Sequence, residues 1–208
     1  MLTIVRHSYR DDGENSEKYS GTRNNNCPLS EKGKEYAAVK ARELIKVLNS
    51  PLKQIYTSPF LRTRQTADVF ADIHEKAYGN RPLISNLMEL AEGQDNYKPN
   101  FSDELKNDLL KNGISYPESF DNIKKRCNDA IIIGTNHMAL DNNVLFVTHG
   151  IICNTLIQNI FPEYKFYGIK KPEDYVPKCC DLSVFKLDLF KWSLVYSDTP
   201  EVTNISLK

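Results

Sequence analysis

Residues 143–148 read Asn-Val-Leu-Phe-Val-Thr, and after His149 a helix-compatible stretch begins at once and runs through Ile151 to Ile160. An apolar run of this kind suits a strand covered on both faces, which points to the inside of a parallel sheet. Parallel strands need long crossovers, so the chain must place helices between its strands. It does so repeatedly.

Leu2 to Val5 is a first apolar strand. Ser30 can cap a helix that carries Ala37, Ala41, Leu44 and Leu48 as one stripe and runs to about Asn49. Gln54 to Thr57 is the second strand. Ser58-Pro59 then reads as a helix start, with Ser58 as N-cap and Pro59 at the first helical position. Pro82 to Ile84 is a short third strand. A short helix is expected over Asp103 to Leu110, and a longer one opens at Pro117-Glu118-Ser119 with Phe120, Ile123, Cys127, Ala130 and Ile131 as its buried stripe. Two more strands, Leu182 to Leu187 and Trp192 to Tyr196, follow the helix after His149. This alternation predicts an α/β fold: one three-layer α/β/α domain over residues 1–208, with a mostly parallel central sheet. The polar stretches 11–27 and 91–116 are expected to lie over the carboxyl ends of the strands as lid or insertion segments.

Lysine plus arginine and aspartate plus glutamate stand at 27 each. That balance gives no global reason to expect nucleic acid or a membrane surface, so any anion recognition must be local. The sequence opens on its first strand with no basic-then-apolar leader, and no apolar run approaches the roughly 18 residues of a membrane helix. A soluble, cytoplasmic protein is expected. Five cysteines without zinc or C-x-x-C spacing fit reduced thiols, including the Cys179-Cys180 pair. Neither a metal nor another cofactor is expected.

Two of the four histidines, His7 and His149, stand at strand ends, whereas His74 and His137 sit in helical surroundings and are read as packing residues. Arg6 and Arg10 flank His7, and Arg62 falls in the opening turn of the helix after the second strand. A guanidinium beside a helix N-terminus is repelled unless an anion lies between them. Three arginines converging on one crevice suit a multiply charged anion, and phosphate matches guanidinium forks and helix N–H groups alike. Beside such an anion a histidine can attack, donate a proton or stabilise charge. Attack needs an unprotonated ring nitrogen, which neighbouring guanidinium charge favours, and a backbone carbonyl on the other nitrogen would fix the tautomer.

In Arg6-His7-Ser8, in Ser58-Pro59-Phe60-Leu61-Arg62-Thr63-Arg64-Gln65-Thr66-Ala67, in Glu89 and in His149-Gly150 the chain resembles the histidine phosphatase superfamily, the phosphoglycerate mutase-like proteins. Cys27-Pro28-Leu29-Ser30-Glu31-Lys32-Gly33 and Pro117-Glu118-Ser119 look like two further segments of that family. The resemblance implies a metal-independent phosphomonoesterase. His7 would form a phosphohistidine, Arg6, Arg62 and His149 would bind phosphate oxygens, and Glu89 would protonate the leaving group, with Glu92 three residues on as the other candidate. Arg10 looks like the extra arginine of the branch with the T-cell signalling suppressor and ecdysteroid-phosphate phosphatases. The expected substrate is a phosphorylated small molecule or a phosphotyrosine-type ester.

Two departures stand out. Ser8 replaces the family's glycine, which would strain the backbone if that position needs a positive φ. The mutases' Ser/Thr-x-Trp-Asn pattern is missing after Ser8, which favours a phosphatase. A cofactor-dependent phosphoglycerate mutase and a catalytically weakened phosphate-binding protein are the alternatives.

Overall fold

The computed structural model describes residues 1–14, 26–48, 50–93, 102–140, 142–162, 178–189 and 191–198. The elements are β1 (Leu2–Arg6), α1 (Asp11–Glu14), α2 (Glu31–Val47), β2 (Leu52–Thr57), α3 (Leu61–Tyr78), β3 (Leu83–Asn86), α4 (Asp103–Lys111), α5 (Phe120–Met138), β4 (Asn143–Thr148), α6 (Gly150–Ile160), β5 (Leu182–Asp188) and β6 (Lys191–Ser197). A single 3-10 turn, Met88–Leu90, follows β3. The expected α/β fold with a mostly parallel sheet is what forms.

The six strands lie in the order β3-β2-β4-β1-β5-β6. β3, β2, β4 and β1 run parallel, and β5 and β6 close the sheet as antiparallel neighbours. β4 sits between β1 and β2 and is buried along its length, as its apolar run requires. Its side chains alternate: Leu145 and Val147 join the α2 and α3 stripes, while Val144 and Phe146 join Ile123, Cys127, Ala130 and the buried face of α6. Helices therefore cover both faces. A third, smaller cluster, Phe60, Ala91, Leu105, Leu109 and Ile114, ties α4 to the turn after β3.

The ladder continues past the strand ends, with His7 N donating to Thr148 O at 2.8 Å, Ser58 N to Val147 O at 3.0 Å and Leu87 N to Thr57 O at 2.8 Å. The carboxyl ends of β1, β4 and β2 are thereby brought side by side. That edge is the crevice expected of an open α/β sheet.

Gly33 lets α2 reach this edge. A Cβ there would lie 2.3 Å from Tyr9 O, a backbone atom that cannot swing aside. Gly33→Ala is expected to cost about 1–3 kcal/mol by overpacking, read as a lower denaturant midpoint at unchanged slope. An unchanged midpoint would show that the loop after β1 yields freely.

The segment 11–27 contains α1 and then residues 15–25, outside the described residues, and 94–101 of the segment 91–116 lie outside them as well. Among the described residues no helix is long and apolar enough to cross a membrane. His74 is a satisfied core histidine, its Nε2 accepting from Leu52 N at 2.9 Å and its Nδ1 facing Asn80 O at 2.9 Å. His137 meets the Tyr56 hydroxyl at 2.9 Å. Both behave as packing residues.

Candidate active site

His7 leaves the end of β1 almost fully buried, and its Nδ1 lies 2.7 Å from Ser8 O. A carbonyl only accepts, so Nδ1 carries the proton and Nε2 keeps its lone pair. Burial first, and then the charges of Arg62, Arg6 and Arg10, hold the His7 pKa well below the usual histidine value. The ring is neutral at pH 7.

Ser8 does not sit at a positive φ; among the described non-glycine residues only Cys180 and Leu189 do. The serine is therefore accommodated without the backbone strain its place in the motif suggested. It is fully buried, and its N–H donates to Thr66 Oγ1 at 3.1 Å.

His149 caps α6 at the end of β4 and faces His7 edge to face, with ring centroids 5.4 Å apart. Arg62 Nη2 approaches its Nδ1 at 3.1 Å, and its Nε2 lies 2.8 Å from Ser58 Oγ. A guanidinium can only donate, so Nδ1 accepts and the Nε2–H points at Ser58. Burial, followed by the charge of Arg62, the neighbouring His7 ring and the charge of Arg6, lowers the pKa of this ring too.

Ser58 is thus not the cap of α3. The helix starts at Leu61, its N-cap Phe60 offers no side-chain bond, and Asn26 Oδ1 takes the Leu61 N–H at 2.7 Å. Three polar residues of the Ser58-to-Thr66 motif have partners in the neighbouring segments: Ser58 orients His149, Gln65 Oε1 accepts from Leu29 N at 2.7 Å, and Thr66 holds Ser8. Asn26, Gln65 and Thr66 act on the site through the loops; the motif marks Gln65 and Thr66, whereas nothing in local sequence distinguishes Asn26 from a surface polar residue.

Arg62 is fully buried, its guanidinium stacked over the Phe60 ring at 4.9 Å. Its Nη2 donates to Glu92 Oε2 at 2.5 Å, and Glu92 Oε1 stands 3.8 Å from His149 Nδ1. Arg10 is anchored by Asp12, which accepts from its Nε at 2.8 Å and from its Nη2. The Arg10 charge acts on both His7 and Arg62. Arg6 ends β1, pairs in register with Thr148 and accepts at its carbonyl from Cys180 N at 3.1 Å. The structure therefore brings together Arg6, His7, Arg10, Arg62 and His149.

Glu89 stands apart. The carboxylate that meets Arg62 and His149 is Glu92, whereas Glu89 lines a cavity of about 290 Å³ beside α5, with Glu118, Lys125 and Arg126. Its carbonyl, not its carboxylate, is bonded, to Arg126 Nη1 at 2.7 Å. A one-turn 3-10 helix turns residues three apart onto one side, but the chain leaves that turn at Ala91 and re-aims Glu92. Arg126 was hidden inside an apolar stripe, between Ile123 and Cys127; a lone arginine on a buried face is the sequence signal that marks it.

Neutral histidines beside buried guanidiniums and a carboxylate, at the carboxyl edge of a parallel sheet, can hold an oxyanion, attack it and shuttle one proton. The class follows from the sequence match: residues 2–197 fit the family model of the Histidine phosphatase superfamily (branch 1), and the chain belongs to that family.

Similar solved structures include ecdysone phosphate phosphatase from Bombix mori in complex with tungstate, at 18% identity and a TM-score of 0.67, covering 96% of this chain and 92% of that one. Mycobacterial glucosyl-3-phosphoglycerate phosphatase with inorganic phosphate matches at 15% and 0.65, covering 96% and 97%. Phosphoglycerate mutase from Bacillus anthracis matches at 17% and 0.64, covering 93% and 90%. These likenesses establish a shared phosphoglycerate mutase-like fold. No curated protein matches the chain.

Proposed function

We propose that this protein hydrolyses phosphomonoesters through a phosphohistidine on His7. The observation that carries the reading is the His7 ring, neutral and locked by Ser8 O in the tautomer that leaves Nε2 free to attack, beside the Arg62 and His149 pair. Arg6, Arg10 and Arg62 bind the phosphoryl oxygens. Nε2 forms the P–N bond as the ester P–O bond breaks, and a carboxylic acid gives its proton to the departing oxygen. The resulting carboxylate takes a proton from water, water oxygen attacks phosphorus, the P–N bond breaks, and inorganic phosphate leaves. Guanidinium groups and an N–H donor stabilise the charge on the equatorial oxygens. With phosphate present, His149 serves as that donor if Ser58 reverses its hydrogen bond, since a hydroxyl can give or accept.

Glu92 is the proton carrier that the geometry favours, because its carboxylate alone of the two reaches the Arg62 and His149 pair. Glu89 is the second reading, supported by its place in the motif after the third strand. Turnover of an alkyl phosphate in the presence of EDTA decides both points. We expect activity to survive the chelator, Glu92→Gln to lose about 100-fold in kcat/KM, and Glu89→Gln to stay within about threefold. The reverse order would move the role to Glu89. No turnover by wild type, or loss with EDTA, would sink the metal-free hydrolase. Faster phosphoryl transfer to phosphoglycerate than to water would identify a mutase instead.

The ligand we propose is a phosphorylated small molecule or a phosphotyrosine-type ester, selected by the segments 11–27 and 91–116. We place the protein in the cytoplasm, without nucleic-acid or membrane partners.

A further inference from the structure

The turn that carries both candidate carboxylates is held by its backbone. Four consecutive carbonyls, of Glu89, Leu90, Ala91 and Glu92, each accept a hydrogen bond from a side chain of another segment. Arg126 Nη1 donates to Glu89 O and to Ala91 O, both at 2.7 Å. Thr148 Oγ1 donates to Leu90 O at 2.6 Å, and the Tyr116 hydroxyl donates to Glu92 O. Arg126 is itself fixed by a bidentate pair with Glu118, Nε to Oε1 and Nη2 to Oε2, each at 2.8 Å. Both partners are buried, at 8% and 4% exposure. Gly93, immediately after the turn, admits this arrangement, since a Cβ there would lie 2.6 Å from Ile123 Cδ1 and 3.0 Å from Arg126 Nη2.

A short irregular turn at the rim of a site would ordinarily leave such carbonyls to water. Here they are bonded from α5, from the segment ahead of α5, and from the residue before His149. A buried ion pair is a weak source of stability compared with apolar residues of the same volume, so the Glu118 and Arg126 pair calls for another reason. General acid catalysis supplies one: a proton donor works only when its carboxyl is held within hydrogen-bond reach of the leaving oxygen, and displacement by about 1 Å can cost on the order of 100-fold.

We infer that Arg126, oriented by Glu118, and Tyr116 are positioning residues that fix the proton donor of the 89–92 turn against the His7 site. The inference rests on the proposed phosphohistidine chemistry. It adds the residues that aim the acid, and it holds whichever of the two glutamates carries the proton. Thr148 links the same turn to the strand that ends in His149, so acid and phosphate donor are set by one frame.

The test uses leaving groups of different basicity. p-Nitrophenolate departs with little help from an acid, whereas an alkoxide needs the proton. The kcat/KM value reports only the steps through phosphoenzyme formation, in which the leaving group takes part. We therefore compare kcat/KM for p-nitrophenyl phosphate and for glycerol 2-phosphate in Tyr116→Phe and Arg126→Lys. The first removes one hydroxyl; the second keeps a charge for Glu118 but loses the fork. Far-UV spectra and melting temperature check that each variant folds. We expect losses of about 10- to 30-fold with the alkyl ester and under about threefold with the aryl ester.

Equal losses on both substrates, or none, would overturn the inference and leave the clamp structural. The Glu89→Gln/Glu92→Gln double variant separates the two levels of the argument. If it shows no preference for the better leaving group, the proton-donor reading itself falls, and the positioning role falls with it. If the double variant discriminates and neither Tyr116→Phe nor Arg126→Lys does, only the positioning role is lost.

Discussion

Replacing His7 by alanine is expected to reduce turnover of p-nitrophenyl phosphate by about 10⁴-fold or more and to abolish labelling of the protein by phosphate from substrate. Among the described residues, His149, the other histidine at the carboxyl edge, is not poised to take over the attack. His149 Nδ1 is occupied by Arg62 and its Nε2 by Ser58, so neither nitrogen is presented as a nucleophile. A His7→Ala protein that still turned over within tenfold of wild type would place the chemistry elsewhere. The same ring sets the acid limb of the pH profile. Its reactive form is the neutral one, and its pKa lies well below the ordinary 6.5, so kcat/KM is expected to hold steady as pH falls through 6.5 and to drop only below it. Stability moves with the same sign. As pH falls below the ordinary histidine value the unfolded chain binds protons at positions 7 and 149 while the folded chain does not, so acid favours unfolding until the lowered folded values are passed.

Arg62→Ala is expected to reduce kcat/KM by about 10³-fold, the range lost when a transition-state guanidinium is removed from phosphoryl transfer. Arg62 is the fully buried link between Glu92, His149 and the Phe60 ring, so its loss reaches both the phosphate cradle and the acid turn. Burial lowers the pKa of this guanidinium and the Glu92 carboxylate opposes that shift, so Glu92 offsets the cost of burying a cation that stays charged. Truncation also leaves a cavity and an ion-pair partner without its cation, worth about 2–4 kcal/mol of stability. Arg62→Lys separates the two effects. It preserves charge but reaches one partner at a time, and about a 100-fold loss with a near-normal melting temperature is expected. Inorganic phosphate binding, measured by protection against thermal unfolding, should weaken in step; unchanged protection would remove Arg62 from the phosphate site.

Much of this was legible in the chain. The apolar run of β4 dictates a strand buried on both faces, and the stripes of α2 and α5 dictate the helices that cover it. His7, His149 and the arginines were legible because strand ends are where a parallel sheet opens a crevice. The helix start at Ser58 was misplaced for a physical reason: a serine before a proline has cap chemistry, but its hydroxyl had a stronger claim from a histidine on a strand it does not touch in sequence.

By itself the sequence determined the layers of this protein, the residues at its strand ends and the family to which it belongs, because periodicity and motif spacing are local properties. Tertiary structure decided the rest. Only the order β2-β4-β1 sets Ser58 beside His149 and His149 beside His7. Only the path of the turn after β3 chooses Glu92 over Glu89 as the partner of Arg62, and only the packing of α5 brings Arg126 onto two of its carbonyls. Each of those choices joins residues from different elements, through hydrogen bonds whose geometry exists only once the sheet has closed and water has been excluded from between them.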